Sequence, residues 1–367
     1  MKNEYDVVVV GGGGSGLAAA VSAAEEGAKV VLLEKAPTLG GTTGIAVGSF
    51  TANRTSYQEK AGVCDSVEAH EFDAGLFGPR SYQERNNAKL RRYFLAQTAE
   101  TMRWLIDKGL TFNGPSPEPP NRVPRMHNVI PNAKAYIAAL HRAFRGLGGE
   151  VHCNAHVQSL IQIDERVIGV TAELPTGVRS VYARRGVVLA AGDFATPAGL
   201  IREYKGSEYR GNEGGNPQAT GDGHRLAASA GAELLNMDIT YGPEIRFIPP
   251  QRTSLLQRIP TNWWSTKLLN FVVPLVPKKI IDNAAKSLLV TWQHPEDSLF
   301  TDGVILVNKL GQRFCDELLT PEREIAIAKQ PGKMAYLLLD RRLVDRYSGW
   351  PHFVSTAPEI AYAYIGD

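Results

Sequence analysis

The feature that most constrains this chain is the stretch from Tyr5 to Lys35, which reads as strand, glycine-rich turn, helix and strand. Residues 7–10 form a short apolar run, typical of a parallel strand that is buried on both faces. The turn GGGGSG follows, then a helix of small residues over 17–24 and a second apolar strand over 28–33. This order predicts an α/β fold built on a parallel sheet.

The turn contains the spacing G-x-G-x-x-G at Gly11, Gly13 and Gly16. In such a motif the first glycine makes the tight turn, the second lets backbone approach a pyrophosphate, and the third lets helix pack close to sheet. The helix N-terminus offers unpaired N–H groups to the phosphates. Gly14 and Ser15, in the turn that leads into the helix, are also expected to contact the cofactor. The pattern predicts dinucleotide binding, and a purely structural glycine-rich loop is the alternative.

A ribose-binding acid and a second glycine-rich loop follow. Glu34 ends the second strand, 18 residues after Gly16, where a carboxylate accepts hydrogen bonds from ribose hydroxyls. Lys35 comes next, and the loop then contains Gly40, Gly41, Thr42, Thr43 and Gly44. A loop of this kind lets backbone run along an extended cofactor, which favours FAD over NAD.

Bulk composition narrows the class of protein. A chain of 367 residues has room for about two domains, and its net charge of +2 gives no electrostatic case for nucleic acid. The chain has three cysteines, Cys64, Cys153 and Cys315, and they form no C-x-x-C pair. This number and spacing argue against a disulfide framework or a zinc site. The first strand begins near residue 5 and leaves no room for a signal peptide, so we expect a reducing, cytoplasmic setting and no bound metal.

The string E-K-x-x-x-x-G-G-T-T-G, after G-G-G-G-S-G, resembles the FAD-binding domain of the fumarate reductase/succinate dehydrogenase flavoprotein family. That family also includes 3-ketosteroid Δ1-dehydrogenases and urocanate reductase. The resemblance implies FAD as the cofactor. Membrane-bound succinate dehydrogenases attach FAD to a histidine in this loop, and threonines occupy the matching stretch here, which implies noncovalent binding.

The resemblance also assigns cofactor contacts further along the chain. Val157 matches the stretch whose backbone contacts the adenine. Asp193 stands where the family usually has a second glycine in its segment near the phosphates, and the matching positions before it are Ala191 and Gly192. A T-G-D-G motif that lies by the flavin and its ribityl chain in the family matches Thr220, Gly221 and Asp222.

The resemblance predicts two domains. Residues 1–236 would form a Rossmann-like FAD-binding domain with a β-meander inserted over 158–183. Residues 237–367 would form an α+β capping domain that encloses the flavin ring and holds a small-molecule substrate. The family's glycine-rich return to the FAD domain is not recognisable after Gly349, so the chain is either a fragment of a longer protein or a shortened member.

Residues 303–317, GVILVNKLGQRFCDE, match the family string G-x-I-x-V-N-x-x-G-x-R-F-x-x-E and read as a strand, a turn and a second short strand. The implied reaction is hydride exchange between flavin N5 and a C–C bond alpha,beta to a carbonyl or carboxylate. Arg323 is the nearest candidate for the proton-transferring arginine, about two residues from the family's offset, and His294 resembles a histidine that grips a substrate carboxylate. Ordinary structural roles are the alternative for both residues.

The implied substrate is a carboxylate or a lipophilic ketone, and the sequence identifies no electron partner. Two other classes of function stay open at this point. One is a noncatalytic fragment that binds FAD or ADP. The other is a peripheral membrane or partner-binding module that retains the fold.

Three further segments carry expectations. Residues 90–105 read as an amphipathic helix with Tyr93, Phe94, Met102 and Leu105 in the core. Residues 111–131 hold six prolines and read as an irregular loop, in which Arg125 either faces the flavin or anchors the loop. Residues 253–292 combine tryptophans with five basic side chains and one acid; they predict a membrane contact, a lid, an oligomer contact or a helical insert.

Overall fold

The computed structural model describes residues 2–196, 198–212, 214–240, 242–247, 268 and 295–347. They divide into two compact units. The first contains 2–196 and 215–236, and the second contains 198–212, 214, 237–240, 242–247 and 295–347. Residues 198–214, which the sequence assigned to the first domain, therefore group with the second unit.

The described strands, in chain order, are β1 (Glu4–Val10), β2 (Val30–Leu33), β3 (Ser49–Thr51), β4 (Thr111–Ser116), β5 (Met126–Ile130), β6 (Glu150–His152), β7 (His156–Ile163), β8 (Arg166–Leu174), β9 (Gly177–Leu189), β10 (Ile305–Val307) and β11 (Tyr336–Leu338). The described α-helices are α1 (Gly14–Glu25), α2 (Gly41–Ile45), α3 (Ser56–Lys60), α4 (Val67–Ala74), α5 (Arg80–Glu84), α6 (Ala88–Asp107), α7 (Lys134–Gly146), α8 (Ala198–Tyr204), α9 (Asp222–Ser229), α10 (Asp297–Thr301), α11 (Glu322–Ala328) and α12 (Arg341–Tyr347).

A six-stranded mixed sheet organises the first unit, with the order β6-β2-β1-β9-β8-β7. Strand β1 pairs in parallel with β2 and β9, and β7, β8 and β9 form an antiparallel meander. The predicted α/β fold, with its strand–helix–strand unit and inserted meander, is confirmed. One detail is wrong: the meander's third strand and the strand before Ala191 are a single strand, because β9 pairs with β8 along its first half and with β1 along its second.

Strand β1 contributes side chains to both faces of the sheet, as its alternation requires. Val9 packs with Leu17 and Val21 of α1 in one core cluster, which also includes α7. Val8 and Val10 pack on the opposite face with the meander and α9. The central sheet is therefore covered on both sides, which leaves the ends of its strands as the place for a site.

The proline-rich stretch 111–131 is not an irregular loop throughout. It contains β4 and β5, which form an antiparallel sheet with β3 in the order β3-β5-β4. Strand β4 lies at an edge, where Pro115 removes no interior hydrogen bond and coincides with a register shift between Asn113 and Ser116. The expectation of a loop is wrong because prolines exclude central strands and not edge strands.

Helix α6 buries only part of the apolar set expected in the core. Met102 and Leu105 are buried, together with Leu95 and other residues at helical spacing. Tyr93 and Phe94 are 67% and 62% exposed, so their assignment to the core is wrong. Tyr93 lies on the opposite side of the helix from the buried stripe, whereas Phe94 lies on the same side as the stripe but nearer the start of the helix.

In the second unit, β10 pairs antiparallel with β11. The sequence predicted that the strand at 305–307 would pair within a local hairpin, but only an isolated bridge joins Val307 to Arg313. The Glu317 carboxylate instead accepts hydrogen bonds from Leu306 N and the Arg313 guanidinium, which fixes the turn to the strand. A small core of Leu299, Phe300, Leu306, Leu343 and Tyr347 lies beneath.

Two predictions fall outside the described residues. His294 is one, and the 253–292 segment, apart from Leu268, is the other. Within the described ranges, no helix combines the length and apolarity needed to cross a bilayer. The same ranges bring together no group of His, Cys, Asp and Glu side chains suited to hold a metal ion.

Candidate cofactor-binding site

A cavity of about 430 Å³ opens at the carboxyl ends of β1, β2 and β9. Ligands in α/β sheets bind at this edge, and the volume falls within the range of about 300–1,000 Å³ usual for small-molecule sites. Thirteen of the eighteen positions that the sequence assigned to the cofactor line it: Gly11, Gly13, Gly14, Ser15, Glu34, Lys35, Gly41, Thr42, Thr43, Val157, Ala191, Gly192 and Asp222. The other five lie behind or beside this lining: Gly16, Gly40, Gly44, Thr220 and Gly221.

The three motif glycines meet different demands. Gly11 has φ +108°, and a Cβ there would lie 2.3 Å from the Ala190 carbonyl oxygen. A Cβ on Gly16 would lie 1.9 Å from the Gly11 oxygen, so turn and helix can approach only without it. The nearest atom to a Cβ on Gly13 is 3.8 Å away, on Gly40. The protein itself therefore requires the outer glycines, while the space beside Gly13 is open to a ligand.

The second glycine-rich loop lies directly against the first. Gly40 N donates to Gly12 O at 3.0 Å, and Gly14 N donates to Thr43 Oγ1 at 3.2 Å. Gly41 has φ +53°, and a Cβ there would come within 3.2 Å of the Gly13 Cα. The two loops together form one backbone-lined cradle along the cavity, with the start of α1 at its edge.

Glu34 is buried and held in a fixed orientation. Its Oε2 accepts from Gly12 N at 2.6 Å, and its Oε1 accepts from Ala36 N at 2.7 Å. Each carboxylate oxygen has a further lone pair for a second hydrogen bond. The side chain is thus oriented by backbone N–H groups and can also accept from a pair of hydroxyls in the cavity.

Lys35 and Asp222 form an ion pair, with Nζ 2.6 Å from Oδ2. Thr220 Oγ1 donates to the same Oδ2 at 2.9 Å and is itself hydrogen-bonded by Lys35 Nζ. Arg225 pairs with the second carboxylate oxygen, and His156 Nε2 lies 4.0 Å from Oδ2. Burial alone would raise the pKa of Asp222, but the hydrogen bonds from Lys35 and Thr220 hold that pKa below its ordinary value.

The loop before α9 also lines the cavity, and the sequence analysis missed it. Asn216, Gln218 and Ala219 face the cavity, and Asn216 Nδ2 donates to Thr42 Oγ1 at 3.0 Å. Gln218 N donates to Asn216 Oδ1 at 3.0 Å in a local turn. The Asn216-Pro217 pair is a turn signal that could have marked this loop.

Arg125 anchors the proline-rich stretch rather than facing the cavity. It is fully buried and pairs with Asp65 at 2.6 Å and with Asp73 at 2.5 Å. Burial opposes ionisation of the two carboxyls, but their hydrogen bonds with Arg125 keep both pKa values below the ordinary range. His127 is likewise buried, with Nε2 3.0 Å from Thr55 Oγ1. The anchoring alternative for Arg125 is therefore the one that the contacts support.

Arg323 lies in the second unit and is almost fully buried. Its Nη1 donates to Glu317 O at 2.9 Å, its Nη2 to Asp297 Oδ1 at 2.9 Å, and its Nε to Glu324 Oε1 at 2.8 Å. The guanidinium also lies 4.1 Å from the centroid of the Phe300 ring. All three nitrogens thus bind acceptors within the unit, and a catalytic role for Arg323 stays a prediction.

Comparisons with known proteins agree with this geometry. The family model described as "FAD binding domain" matches residues 6–253. A probable fumarate reductase of Shewanella frigidimarina is 28% identical over 87% of this chain and 48% of its own length. Digoxin reductase of Eggerthella lenta is 31% identical over 86% of this chain and 55% of its own length. The chain thus spans about half the length of these curated relatives.

Solved structures give the same picture. The open conformation of a flavocytochrome c3 fumarate reductase superposes with a TM-score of 0.71, at 26% identity, over 94% of this chain and 54% of that one. A 3-ketosteroid-delta4-(5alpha)-dehydrogenase from Rhodococcus jostii RHA1 shares the fold, with a TM-score of 0.64 at 24% identity over 96% of this chain and 70% of that one.

The residues present fit FAD as the cofactor. The open space at Gly13 suits the approach of a diphosphate, and the fixed carboxylate of Glu34 suits a ribose. The extended cradle of two glycine loops suits a long dinucleotide. Because the family model matches residues 6–253, which is most of its length, this chain belongs to the FAD binding domain family.

Proposed function

We propose that this chain is an FAD-dependent oxidoreductase that transfers hydride between flavin and a C–C bond alpha,beta to a carbonyl or carboxylate. The observation that carries the proposal is the cavity formed by two interlocked glycine loops and the fixed Glu34 carboxylate. Relatives named as reductases of fumarate, digoxin and urocanate support the reaction class. A small unsaturated acid or ketone is the proposed substrate.

The chain's own residues hold and orient the cofactor in this proposal. Glu34 accepts from the ribose hydroxyls, and backbone at Gly13 with the first turn of α1 receives the diphosphate. Thr42 and Thr43 stand where a covalent histidine would be needed, so the cofactor is held without a covalent bond. Bound flavin supplies two-electron hydride chemistry, for which the protein contributes orientation and exclusion of water.

The test is reconstitution followed by anaerobic turnover. The purified chain is titrated with FAD, freed of excess cofactor, reduced with dithionite, and mixed with fumarate, urocanate or a steroid enone. We expect stoichiometric flavin absorbance and reoxidation by at least one substrate well above the rate for free reduced FAD. Glu34→Gln, which keeps the size of the side chain but removes its charge, is the matched variant and is expected to retain less FAD.

Two outcomes contradict the proposal in different ways. Failure to retain any flavin removes its basis altogether. Retention of flavin with no substrate-dependent reoxidation supports the alternative of a noncatalytic FAD- or ADP-binding fragment. The fraction of the relatives' length that this chain spans makes that alternative worth a separate control, in which ADP competes for the FAD site.

The role of Arg323 is a separate question within this proposal. Its contacts with Asp297, Glu324 and the Glu317 carbonyl support the structural role that the sequence left open. If Arg323 is the proton donor, Arg323→Lys should lower turnover by about a hundredfold or more, while the free energy of unfolding stays near that of the parent. A structural arginine would instead lose stability, with activity per folded molecule little changed.

A further inference from the structure

We propose that Lys35 is a positioning residue whose bridge to Asp222 and Thr220 keeps the adenosine half of the cofactor cavity formed before the cofactor arrives. This inference rests on the FAD binding in the proposed function. It differs from the expectation that Thr220 and Asp222 act by contacting the flavin and ribityl chain. In the structure, the side-chain oxygens of both residues are bound to cationic side chains of the protein.

The bridge joins distant parts of the chain across the cavity. Lys35 follows β2, Asp222 begins α9, and the two are separated by 187 residues. Both line the cavity, and their side chains are only 23% and 15% exposed. Thr220 Oγ1 closes a triangle of hydrogen bonds with Lys35 Nζ and Asp222 Oδ2. A partly buried, doubly hydrogen-bonded pair is screened less by solvent than a surface ion pair.

The bridge is attached to the residue that is expected to hold the ribose. Glu34 immediately precedes Lys35, and its carboxylate is oriented by Gly12 N and Ala36 N. On the other side, Leu226 of α9 lines the cavity one turn after Asp222. The Lys35–Asp222 contact therefore sets the distance between Glu34 and α9, which line two sides of the cavity. A wall fixed in advance saves the entropy of ordering it when the cofactor binds.

The bridge also neutralises the carboxylate that it holds. Asp222 pairs with both Lys35 and Arg225, and His156 Nε2 lies 4.0 Å from the same carboxylate. Burial opposes ionisation of Asp222, but the hydrogen bonds from Lys35 and Thr220 hold its pKa below the ordinary value. A carboxylate neutralised in this way repels a diphosphate less than an unpaired one would.

The test compares FAD with ADP, which lacks the flavin and ribityl parts. Dissociation constants are measured for the parent, Lys35→Met, Asp222→Asn and the double variant, by flavin fluorescence for FAD and by calorimetry for ADP. We expect each single variant to bind both ligands about tenfold more weakly, and the double variant to be no weaker than either single one. Lys60→Met, which removes an exposed lysine outside the cavity, should bind like the parent.

A positioning role also predicts what does not change. The absorbance spectrum of bound flavin should match that of the parent, and the urea midpoint of the apoprotein should shift little. Multiplicative losses in the double variant would overturn the proposal, because they would show that the two residues act separately on the ligand. The proposal would also be overturned if the single variants bound both ligands within twofold of the parent, or if they lost affinity for FAD but not for ADP.

These outcomes are separate from those of the proposed reaction. A parent chain that binds FAD and ADP without reoxidation by any substrate would refute the reaction and leave the bridge standing. A parent chain that turns over normally, with unaltered affinities in Lys35→Met, would refute the bridge and leave the reaction standing. A parent chain that binds neither ligand would overturn both.

Discussion

Alanine substitutions at two glycines of one motif separate what the fold requires from what the cofactor requires. In Gly16→Ala the new Cβ would lie 1.9 Å from the Gly11 carbonyl oxygen, far inside the 3.0 Å that real contacts respect. The turn or α1 must move by about 1 Å, and overpacking of this kind costs roughly 1–3 kcal/mol. We expect the free energy of unfolding of the apoprotein to fall by that amount.

Gly13→Ala should behave in the opposite way. Gly13 has φ −80° and ψ −171°, a conformation open to alanine, and the new Cβ would meet its first neighbour at 3.8 Å. Replacing glycine at a compatible position commonly stabilises a protein by about 0.4–1 kcal/mol, because the unfolded chain loses freedom. The methyl group would nevertheless occupy the space that a diphosphate needs. We expect FAD affinity to fall at least about tenfold, or about 1.4 kcal/mol.

The assay is urea unfolding of the apoproteins together with FAD titration by fluorescence. Gly146→Ala is the matched control, because it lies at the end of α7 with open space around its Cβ. It should leave FAD affinity unchanged. The reasoning is refuted if Gly13→Ala binds FAD like the parent, or if Gly16→Ala is as stable as the parent. The first result would mean that the diphosphate does not pass beside Gly13, and the second would mean that the packing at Gly16 is looser than its Cβ distance indicates.

Four other substitutions test the described packing. Arg125→Met would leave buried Asp65 without its ion pair and Asp73 paired with Arg122 alone, so urea unfolding should show a loss of about 3–5 kcal/mol, and a loss under 1 kcal/mol would contradict the anchoring role. Burial lowers the pKa of His70 to about 4, so the unfolded chain binds a proton that the folded one does not between about pH 6.5 and 4. Stability should fall as the pH is lowered through that window, and His70→Gln should lose less between pH 7 and pH 5 than the parent; equal losses would exclude His70 as the cause. Met102→Ala should cost about 2–5 kcal/mol and Tyr93→Ser less than about 0.5 kcal/mol in the same assay, whereas a large loss for Tyr93→Ser would restore that residue to the core.

The glycine cradle could be predicted because its rules are local. Gly11, Gly13 and Gly16 act through backbone conformation and close approach within one strand–turn–helix unit, and Glu34 follows at the end of the next strand. The sequence alone contains everything that such a unit needs. The same holds for the meander, whose turns at 164–165 and 175–176 are short and polar.

Features that depend on distant partners were predicted poorly. Tyr93 belongs to a helix whose period was read correctly, but the width of its covered face depends on which elements pack there. Lys35 and Asp222 were each singled out, yet nothing in a sequence states that side chains 187 residues apart would neutralise each other. Asn216 lay in a loop whose turn signal was visible, although its contact with Thr42 was not.

Helical geometry bears on whether Arg323 can be the proton-transferring arginine that the family resemblance suggested. The family's offset for that arginine differs by about two residues from the position of Arg323, which lies in the first turn of α11. Within an α-helix, a shift of two residues corresponds to a rotation of about 200° and turns a side chain to the opposite side of the helix. Arg323 accordingly points to Asp297 and the Phe300 ring, within the core of its unit. The same residue type therefore has a different direction, and Arg323→Lys is expected to lower stability rather than the rate of proton transfer.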